Sequence, residues 1–546
     1  MSDQIPLMFQ AQMAGRSQIQ KLNTKLEKHE QQQAYDWSDQ WCRAIDRKQL
    51  PKFDSSTQTK DYDFTWRMVT NSGQDAGLIR PVIGARGWAF FPGSSMKGAF
   101  RRSASGSFSK ADLLKFCGGD DDEGGFKPGI LRFQGGYPKN IDWIDDSLVD
   151  VVHPQESWQL NGQKDNGAFI QISLYQPTFV FGISSSETLT PIEWETIWKI
   201  WDRAIGRGIG SRVSAGYGQT KAHGESSLLT VRLRGEGIAS QRINKEGEFR
   251  PNAFKAALRG HTQRLLSGVA DWETVEQLTK ALWGGFSKNG AIVGQLGIAF
   301  SAPDLELNYR NRATVYNVEE AVLSILMMQD VSEQQRKNLK IFTIQLIKFS
   351  MLLGGFGKSW RRIEHGRFFP SYLNDSRKCT IGCHWEFEDQ SLKSYCIPVK
   401  QLEDVTRFLD DLQRNVARFP MLKKYSPKSP DRILRETWKK GNVEVWGRIA
   451  DDEKDSEAVH WFHGAYEGSR SIYKSELTGS MGQIGRMWHR MYPRYLPPTV
   501  EKMPPKDTGE FIELLTIFPN RSGKDAAKTQ EFLDFLRDRS DFEKLW

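Results

Sequence analysis

Three sequence landmarks occur twice in this chain in the same order, and this internal repeat constrains the fold more than any other feature. The first set is Phe91-Pro-Gly-Ser-Ser-Met-Lys97-Gly-Ala-Phe-Arg101, Phe116-Cys-Gly-Gly119 and a glycine loop from Gly206 to Gly218. The second set is Phe249-Arg-Pro-Asn-Ala-Phe-Lys255-Ala-Ala-Leu-Arg259, Leu282-Trp-Gly-Gly285 and a glycine loop from Gly354 to Arg362. A Phe, a Lys and an Arg occur with the same spacing in both copies of the first landmark. The repeat predicts one fold used twice.

Each set lies in an alternation of strand-like and helix-like segments. Period-two patterns predict strands near residues 62–69, 129–133, 168–183, 228–234 and 510–518. Helix-start signals and amphipathic spacing predict helices after Pro92, over 191–205, after Pro251, over 338–353 and over 529–537. These lengths predict an α+β protein with two ferredoxin-like units, each a small antiparallel sheet backed by helices.

The composition along the chain suggests three regions. Residues 1–55 are polar and Gln-rich, and we expect this extension to dock on a partner or to be partly disordered alone. Residues 56–225 form the predicted first domain, and residues 226–546 the second. The charged, Pro-containing stretch at about 375–475 is interpreted as an insertion in the second domain, because a strand and a helix follow it.

Charge and aromatic content favour a nucleic-acid partner. The 546 residues carry 75 Lys and Arg against 67 Asp and Glu, so the net charge of +8 is modest for the size. Several aromatic residues adjoin basic ones, as in Trp66-Arg67, Trp360-Arg361-Arg362 and Trp488-His489-Arg490. Such neighbours can stack on unpaired bases and neutralise phosphates. Core aromatic residues with solvent-reaching arginines explain each isolated case equally well.

The five cysteines and the apolar pattern indicate a cytoplasmic protein with free thiols and no membrane segment. Residues 1–30 lack the apolar core of a signal peptide, and no stretch is apolar over a bilayer-spanning length. Cys379, Cys383, His384 and Cys396 invite comparison with a zinc site, but a second well-spaced ligand pair is missing. Ordinary thiols are the favoured interpretation, so no metal site is predicted.

The Gly-Ser-Ser-x-Lys segment is predicted to bind phosphate. It leads into a helix N-terminus, where backbone N–H groups, the helix dipole, the hydroxyls of Ser94 and Ser95 and the ammonium of Lys97 all favour an anion. Arg101 and Arg102 follow in the same helix. An ordinary N-cap with a solvated lysine is the alternative. The second copy lacks the glycine and serines but keeps Lys255 and Arg259.

The two glycine loops are predicted to approach a sugar–phosphate backbone. The residues assigned to this contact are Arg207, Gly208, Gly210, Arg212, Tyr217, Lys358, Arg361 and Arg362. Gly357-Lys358-Ser359 looks like the end of a P-loop, but Leu352 stands where that motif needs glycine. A helix C-cap followed by turns is the alternative, although it does not explain the arginines in both copies.

Taken together and in order, these landmarks resemble the RAMP superfamily, the proteins that form the backbone of type III CRISPR effector complexes. The resemblance is strongest over residues 60–220 and looser over 226–370 and 475–546. The tandem arrangement resembles a double backbone subunit of the type III-D kind. The resemblance implies an RRM-type ferredoxin-like core in each unit and a hairpin that kinks the guide–target duplex. It also implies CRISPR RNA, target RNA and other type III effector subunits as partners.

The resemblance further implies a candidate catalytic residue. Some family members cleave target RNA with an aspartate between the first strand and the Gly-Ser-Ser-x-Lys helix, and Asp75 occupies that position here, with Mg²⁺ as the cofactor that cleavage could use. The corresponding stretch of the second repeat offers only Glu236, Glu246 and Glu248. Asp75 could equally be a turn residue in a purely structural RNA-binding subunit.

A stand-alone RNA-processing endonuclease is a third alternative for the function. It would need a His or Lys acid–base pair. Three histidines lie beside the landmarks: His153, His365 and His489.

Overall fold

The computed structural model describes residues 28–70, 73–75, 78–120, 124–152, 169–287, 290–357, 364–370, 374, 380–479, 485–498, 503–523 and 525–546. Helices and small, mostly antiparallel sheets alternate through these residues, so the predicted α+β class is confirmed. Among the helices of these ranges, none combines the length and the apolar content needed to cross a bilayer.

The first unit contains a three-stranded antiparallel sheet. In spatial order its strands are Gln58–Asp63, Thr178–Ser185 and Leu131–Pro138. Along the chain, helix Gly93–Ser103 lies between strands Gln58–Asp63 and Leu131–Pro138. Helix Pro191–Gly206 follows strand Thr178–Ser185. An antiparallel bridge between Phe64 and Thr220 stands where a fourth strand would pair. The order β-α-β-β-α is therefore the one expected of a ferredoxin-like unit.

Shorter elements surround this sheet. Four short strands form a second sheet in the order Gly73–Asp75, Leu78–Arg80, Phe169–Ile172 and Val149–Val152. The remaining elements are the strand pairs Arg67–Met68 with Leu174–Tyr175 and Gly118–Asp120 with Phe126–Pro128, helix Lys110–Cys117, and the single turns Ala85–Gly87, Asp142–Ile144 and Gly224–Ser226.

The second unit has a complete four-stranded core sheet. In spatial order the strands are Leu296–Ser301, Ala313–Met327, Ser227–Ile238 and Cys383–Phe387, all antiparallel. The two connecting helices are Asn252–Ser267 and Glu333–Phe349, and the second continues into a π turn at Ser350–Gly354. The chain therefore runs β-α-β-β-α-β through this unit, which is a connection order of ferredoxin-like folds.

The other elements of the second unit are as follows. A fifth strand, Glu306–Arg310, pairs with Ala313–Met327. Two short hairpins join Ser240–Gln241 to Gly247–Glu248 and Gly285–Ser287 to Gly290–Ile292. The helices are Trp272–Trp283, His365–Phe368, Asp389–Tyr395, Glu403–Ala417 and Pro420–Lys423.

A further sheet, with the same strand order as the second unit, follows near the C-terminus. Its strands are, in spatial order, Met487–Leu496, Lys506–Ile517, Glu444–Ala450 and Glu543–Lys544. Its helices are Ala458–His463 and Ala526–Arg539. The sequence interpretation places residues 444–450 in an insertion and the later strand and helix in the second domain. In the structure they pair with one another, because the buried run through Val445 and Trp446 makes one of the two inner strands of this sheet.

The helix of the N-terminal extension packs on the first unit of its own chain. Helix Lys28–Ala44 buries Trp37 and Trp41, and the ring of Trp41 lies 5.0 Å from that of Trp143. The indole N–H of Trp41 donates to the carbonyl oxygen of Gly87 at 2.7 Å. Docking on a partner is therefore not needed to bury this apolar face, because the first unit already covers it.

Candidate nucleic-acid interface

The first landmark forms an exposed helix N-terminus against the sheet. Helix Gly93–Ser103 begins directly after Pro92, whose fixed φ suits a helix start. A Cβ on Gly93 would come well under 3.0 Å from the carbonyl oxygen of Phe133, so glycine lets the helix start close to the strand. Met96 and Phe100 face the core. The predicted phosphate-binding residues lie outward, with Ser94, Ser95, Arg101 and Arg102 exposed and Lys97 half-buried.

Arg101 connects the first landmark to the second. Its guanidinium Nη1 donates to the carbonyl oxygen of Gly118 at 2.7 Å. Gly118 has a positive φ of 71°, and a Cβ there would collide with the backbone of Gly129. Burial raises the pKa of the neighbouring Cys117 thiol to about 11, although Arg101 and Lys97 act in the opposite direction. Cys117 is therefore a neutral thiol at pH 7.

The glycines of the first loop serve close backbone packing. Gly210 has a φ of 88° and Gly218 a φ of 59°. A Cβ at either position would come well under 3.0 Å from a carbonyl oxygen, that of Val69 or that of Ile209 respectively. Gly208, with a φ of 85°, packs on the side chain of Gln219. The loop is thus folded tightly on the first unit, and its glycines are fixed by the fold itself.

The predicted basic residues of this loop have protein partners. Arg207 forms an ion pair with Asp330 of the second unit. Arg212, at a φ of 59°, donates through Nε to Oε1 of Gln171 at 3.0 Å. Burial lowers the pKa of the Arg212 guanidinium from its ordinary value. Both side chains keep partial exposure, so they border the loop surface without projecting freely from it.

Tyr217 lies inside the protein. Its side chain is fully buried, its ring centre is 4.5 Å from that of Trp66, and its hydroxyl donates to Oδ2 of Asp150 at 2.7 Å. Burial, then the Asp150 carboxylate, raise the pKa of Tyr217 well above its ordinary value. Tyr217 therefore exposes no atom that could make the predicted contact with RNA, because its aromatic ring packs where the glycine loop meets the first unit.

The second copy of the first landmark is covered by the first glycine loop. Lys255 and Arg259 are only 8% and 6% exposed, whereas their counterparts Lys97 and Arg101 reach the surface. The ammonium of Lys255 donates to Oγ of Ser214 at 2.7 Å, and the backbone N–H of Ile298 donates to the carbonyl oxygen of Ser214 at 3.2 Å. The two predicted surfaces are therefore not equivalent.

Lys255 is the enclosed centre of a group of cations at the junction of the repeats. Burial, with smaller contributions from the nearby guanidinium groups of Arg259 and Arg212, lowers its pKa to about 7. Because Ser214 and Gln171 are neutral partners, Lys255 and Arg212 are hydrogen-bonded here without direct neutralisation of their charge.

A buried ionic cluster beside this junction was missed at the sequence level. Arg67, which is fully buried, forms an ion pair with Glu248 at 2.5 Å. Arg250 bridges Glu248 and Asp150 at 3.2 Å each. Asp150 also accepts hydrogen bonds from Tyr217 and Gln171. Because Trp66 and Arg67 are both buried, neither side chain can stack on bases, and Arg67 does not reach solvent.

Several predicted residues lie outside the described part of the chain. They are Lys358, Arg361, Arg362, Cys379 and His153. Asp75 ends the short strand Gly73–Asp75, where its backbone pairs with Leu78, and its side chain is outside the description. The side chain of His365 is likewise outside it.

The remaining candidates for acid–base or metal chemistry are buried or dispersed. His489 is buried 2.9 Å from Glu513, and its neighbours Trp488 and Arg490 are buried with it. Cys383 and Cys396 are buried free cysteines. Among the described side chains, no group of three or more His, Cys, Asp or Glu residues could hold a metal ion.

No family model matches this sequence, and no curated protein matches it. Among solved structures, it is similar to a chain of the Type III-B Cmr-beta complex bound to cognate target RNA, with 19% identity and a TM-score of 0.23 over 36% of this chain. The chain spans just under two thirds, 66%, of that relative.

Two further similarities cover more of the chain. It is similar to apo Cmr1 from Pyrococcus furiosus, with 11% identity, a TM-score of 0.31, and coverage of 58% of this chain and 99% of that one. It is also similar to a chain of the Cmr-beta complex bound to cognate target RNA and AMPPnP in the presence of ssDNA, with 10% identity, a TM-score of 0.30, and coverage of 57% and 98%. Similarities at this distance carry no conclusion about activity.

Proposed function

We propose that this chain is an RNA-binding backbone subunit of a type III CRISPR interference complex, of the tandem, type III-D-like kind. The observation that carries the proposal is the exposed N-terminus of helix Gly93–Ser103 with its two serines and its basic residues. The ordered landmarks that resemble the RAMP superfamily add the identity of the RNA, which is CRISPR RNA paired with target RNA.

Helix Gly93–Ser103 has the physical properties of a phosphate-binding element. Its first N–H groups have no partner within the helix, and the dipole is positive at this end. The hydroxyls of Ser94 and Ser95 add donors, while Lys97, Arg101 and Arg102 add positive charge. Such contacts position a sugar–phosphate backbone and do not read bases, so binding should show little sequence preference.

The junction of the repeats supports a second, more enclosed phosphate contact. Lys255 donates to Ser214, and burial together with the nearby guanidinium groups of Arg259 and Arg212 lowers the pKa of Lys255 to about 7. A phosphate group at this junction would add negative charge beside Lys255 and raise that pKa again. RNA binding here would therefore be accompanied by proton uptake near neutral pH.

The hairpin of Glu306–Arg310 and Ala313–Met327 supports the expected distortion of the guide–target duplex. Every residue of Glu306–Arg310 is exposed, and Tyr309 is 77% exposed, so the strand projects an aromatic ring from the second unit. Arg312 stands beside the turn at a φ of 65°. Aromatic rings stack on splayed bases, which suits a wedge against a duplex.

Cleavage of target RNA opposite the first repeat remains a separate proposal. It assigns the chemistry to Asp75 with Mg²⁺, and it predicts that Asp75→Ala abolishes one cut while RNA binding and assembly persist. The competing proposal is a structural RNA-binding subunit without catalysis, in which no cut depends on Asp75. A stand-alone endonuclease gains no support from His489, because that ring is buried against Glu513.

The bound RNA tests the proposed function directly. The chain would be purified from its host with its partners attached, and the associated RNA would be sequenced. We expect RNA of uniform length that carries CRISPR-repeat sequence, together with other effector subunits. RNA of random length and origin, or none, would count against the proposal.

A further inference from the structure

A cavity of about 590 Å³ opens on the second unit, apart from the helix surface discussed above. It lies between strand Ser227–Ile238, the hairpin of Glu306–Arg310 with Ala313–Met327, and helix His365–Phe368. Its volume falls in the range of small-molecule sites. Three arginines and three glutamates line it: Arg234, Glu236, Arg310, Glu319, Glu364 and Arg367.

Two of the cavity's arginines are bound to a carboxylate behind its wall. Arg234 donates to Oε2 of Glu386 at 2.6 Å through Nη2 and at 2.9 Å through Nε. Arg367 lies 3.1 Å from Oε1 of the same carboxylate and 3.5 Å from Glu236. Glu386 is buried and contacts both arginines. The positive charges of Arg234 and Arg367 therefore compensate the Glu386 carboxylate. Arg367 also lies beside Glu236, and Arg310 and Arg367 are charged neighbours of Glu364.

Glu364 presents an unmet acceptor at this cavity. Its side chain is 2% exposed, and its Oε2 accepts from the backbone N–H of Arg367 at 2.7 Å. Its Oε1 is buried and has no hydrogen-bond partner among the described residues. A buried carboxylate oxygen without a donor costs free energy unless a ligand satisfies it. Glu364 therefore indicates a ligand with N–H donors.

Glu236 and Asn317 supply the complementary groups. They occupy paired positions on adjacent strands of the sheet, and both line the cavity. Burial raises the pKa of Glu236 to about 7, and the neighbouring Glu364 carboxylate contributes to the rise. Near neutral pH, Glu236 can therefore present either an O–H donor or an acceptor, and the amide of Asn317 can do both.

We propose that this cavity holds the base of one unpaired guanine nucleotide, with its N1–H and N2–H groups donating to Glu364. The proposal rests on the proposed RNA-binding function, since an RNA strand would deliver the base. Guanine suits the site best because it places two donors side by side, matching one carboxylate, and an acceptor, O6, beside them for Glu236 or Asn317. Single-stranded RNA is commonly recognised through splayed bases on such edges.

Saturation-transfer NMR with the four ribonucleoside monophosphates tests this inference on the whole chain. We expect GMP to bind at least tenfold more tightly than AMP, CMP or UMP. Glu364→Gln should weaken GMP binding at least tenfold, and Glu320→Gln, an exposed neighbour on the hairpin strand that does not line the cavity, should leave it unchanged.

The ranking of the four nucleotides needs no variant, so it decides the question even if Glu364→Gln fails to fold. Equal binding of all four nucleotides, no binding of any, or binding of Mn²⁺ alone at Glu364 would overturn the inference. Filter binding of long RNA by the same protein distinguishes a failure of the guanine-site inference from a failure of the proposed RNA-binding function. If long RNA binds and GMP does not, the guanine site is wrong and the proposed function stands.

Discussion

Lys255 Nζ donates a hydrogen bond to Ser214 Oγ at 2.7 Å, and this contact joins the helix of the second repeat to the glycine loop of the first. The same lysine position is half-exposed in the first repeat, at Lys97. One pattern of residues therefore has two environments, an open surface and an enclosed junction. The difference follows from tandem packing, because the first repeat has no preceding glycine loop within the described chain to cover its helix.

Lys255→Met should change how stability depends on pH. The pKa of Lys255 is about 7 in the folded protein and near 10.5 when the chain is unfolded, so the unfolded state binds the extra proton between these values. Wild-type stability should consequently rise with pH above 7, by up to about 1.4 kcal/mol per pH unit from this group. The variant should lack that part of the slope. Urea unfolding between pH 7 and 9 measures it, and parallel slopes for both proteins would contradict the assignment.

Glu248→Gln should destabilise the junction of the repeats strongly. The substitution leaves Arg67 buried without its carboxylate partner, and breaking a buried ion pair costs about 3–5 kcal/mol. Glu195→Gln is the matched control, because Glu195 and Lys199 form a solvent-exposed pair whose loss should change stability little. Urea titration of both variants gives the comparison. Equal, small losses would show that the cluster is not a structural anchor.

Two glycine-to-alanine changes should have opposite effects. Gly218→Ala forces a Cβ against the carbonyl oxygen of Ile209 at a positive φ, so it should lower the melting temperature clearly. Gly98→Ala lies inside helix Gly93–Ser103 with only the end of the Arg102 side chain nearby, and should be neutral or add about 0.5–1 kcal/mol. Thermal unfolding monitored by circular dichroism compares them. A tolerated Gly218→Ala would mean that the loop is not packed as described.

Trp41→Ala should release the N-terminal helix from the first unit. The indole is fully buried, and truncating such a side chain costs about 3–5 kcal/mol. Limited proteolysis of the purified chain should then cut within helix Lys28–Ala44 much faster than in wild type. Asp39→Ala, exposed on the same helix, is the control. If wild type is cut there as quickly as the variant, the helix docks elsewhere.

The local elements were predictable, and the burial of individual side chains was not. The start signals at Pro92 and Pro251 predict helices that the structure contains, and alternation predicts the strand that contains Leu228. Periodicity is a local property. The burial of Lys255 depends on the glycine loop around Ser214, and the burial of Tyr217 depends on Trp66 and Asp150, all more than 30 residues away along the chain. The sheet around Val445 was missed for the same reason, since its strand is short and lies among charged segments.

The salt dependence of RNA binding tests the central claim most directly. Lys97, Arg101 and Arg102 would be replaced by Gln together and compared with Gln at Lys454, Lys474 and Lys528, three exposed lysines of the C-terminal sheet region. Filter binding of a single-stranded CRISPR RNA would be measured from 50 to 300 mM salt. Each lost phosphate contact should lower the log–log slope by roughly 0.7, so the first triple variant should lose about 2 and the control should match wild type. An unchanged slope in the first variant would show that helix Gly93–Ser103 does not hold the RNA backbone.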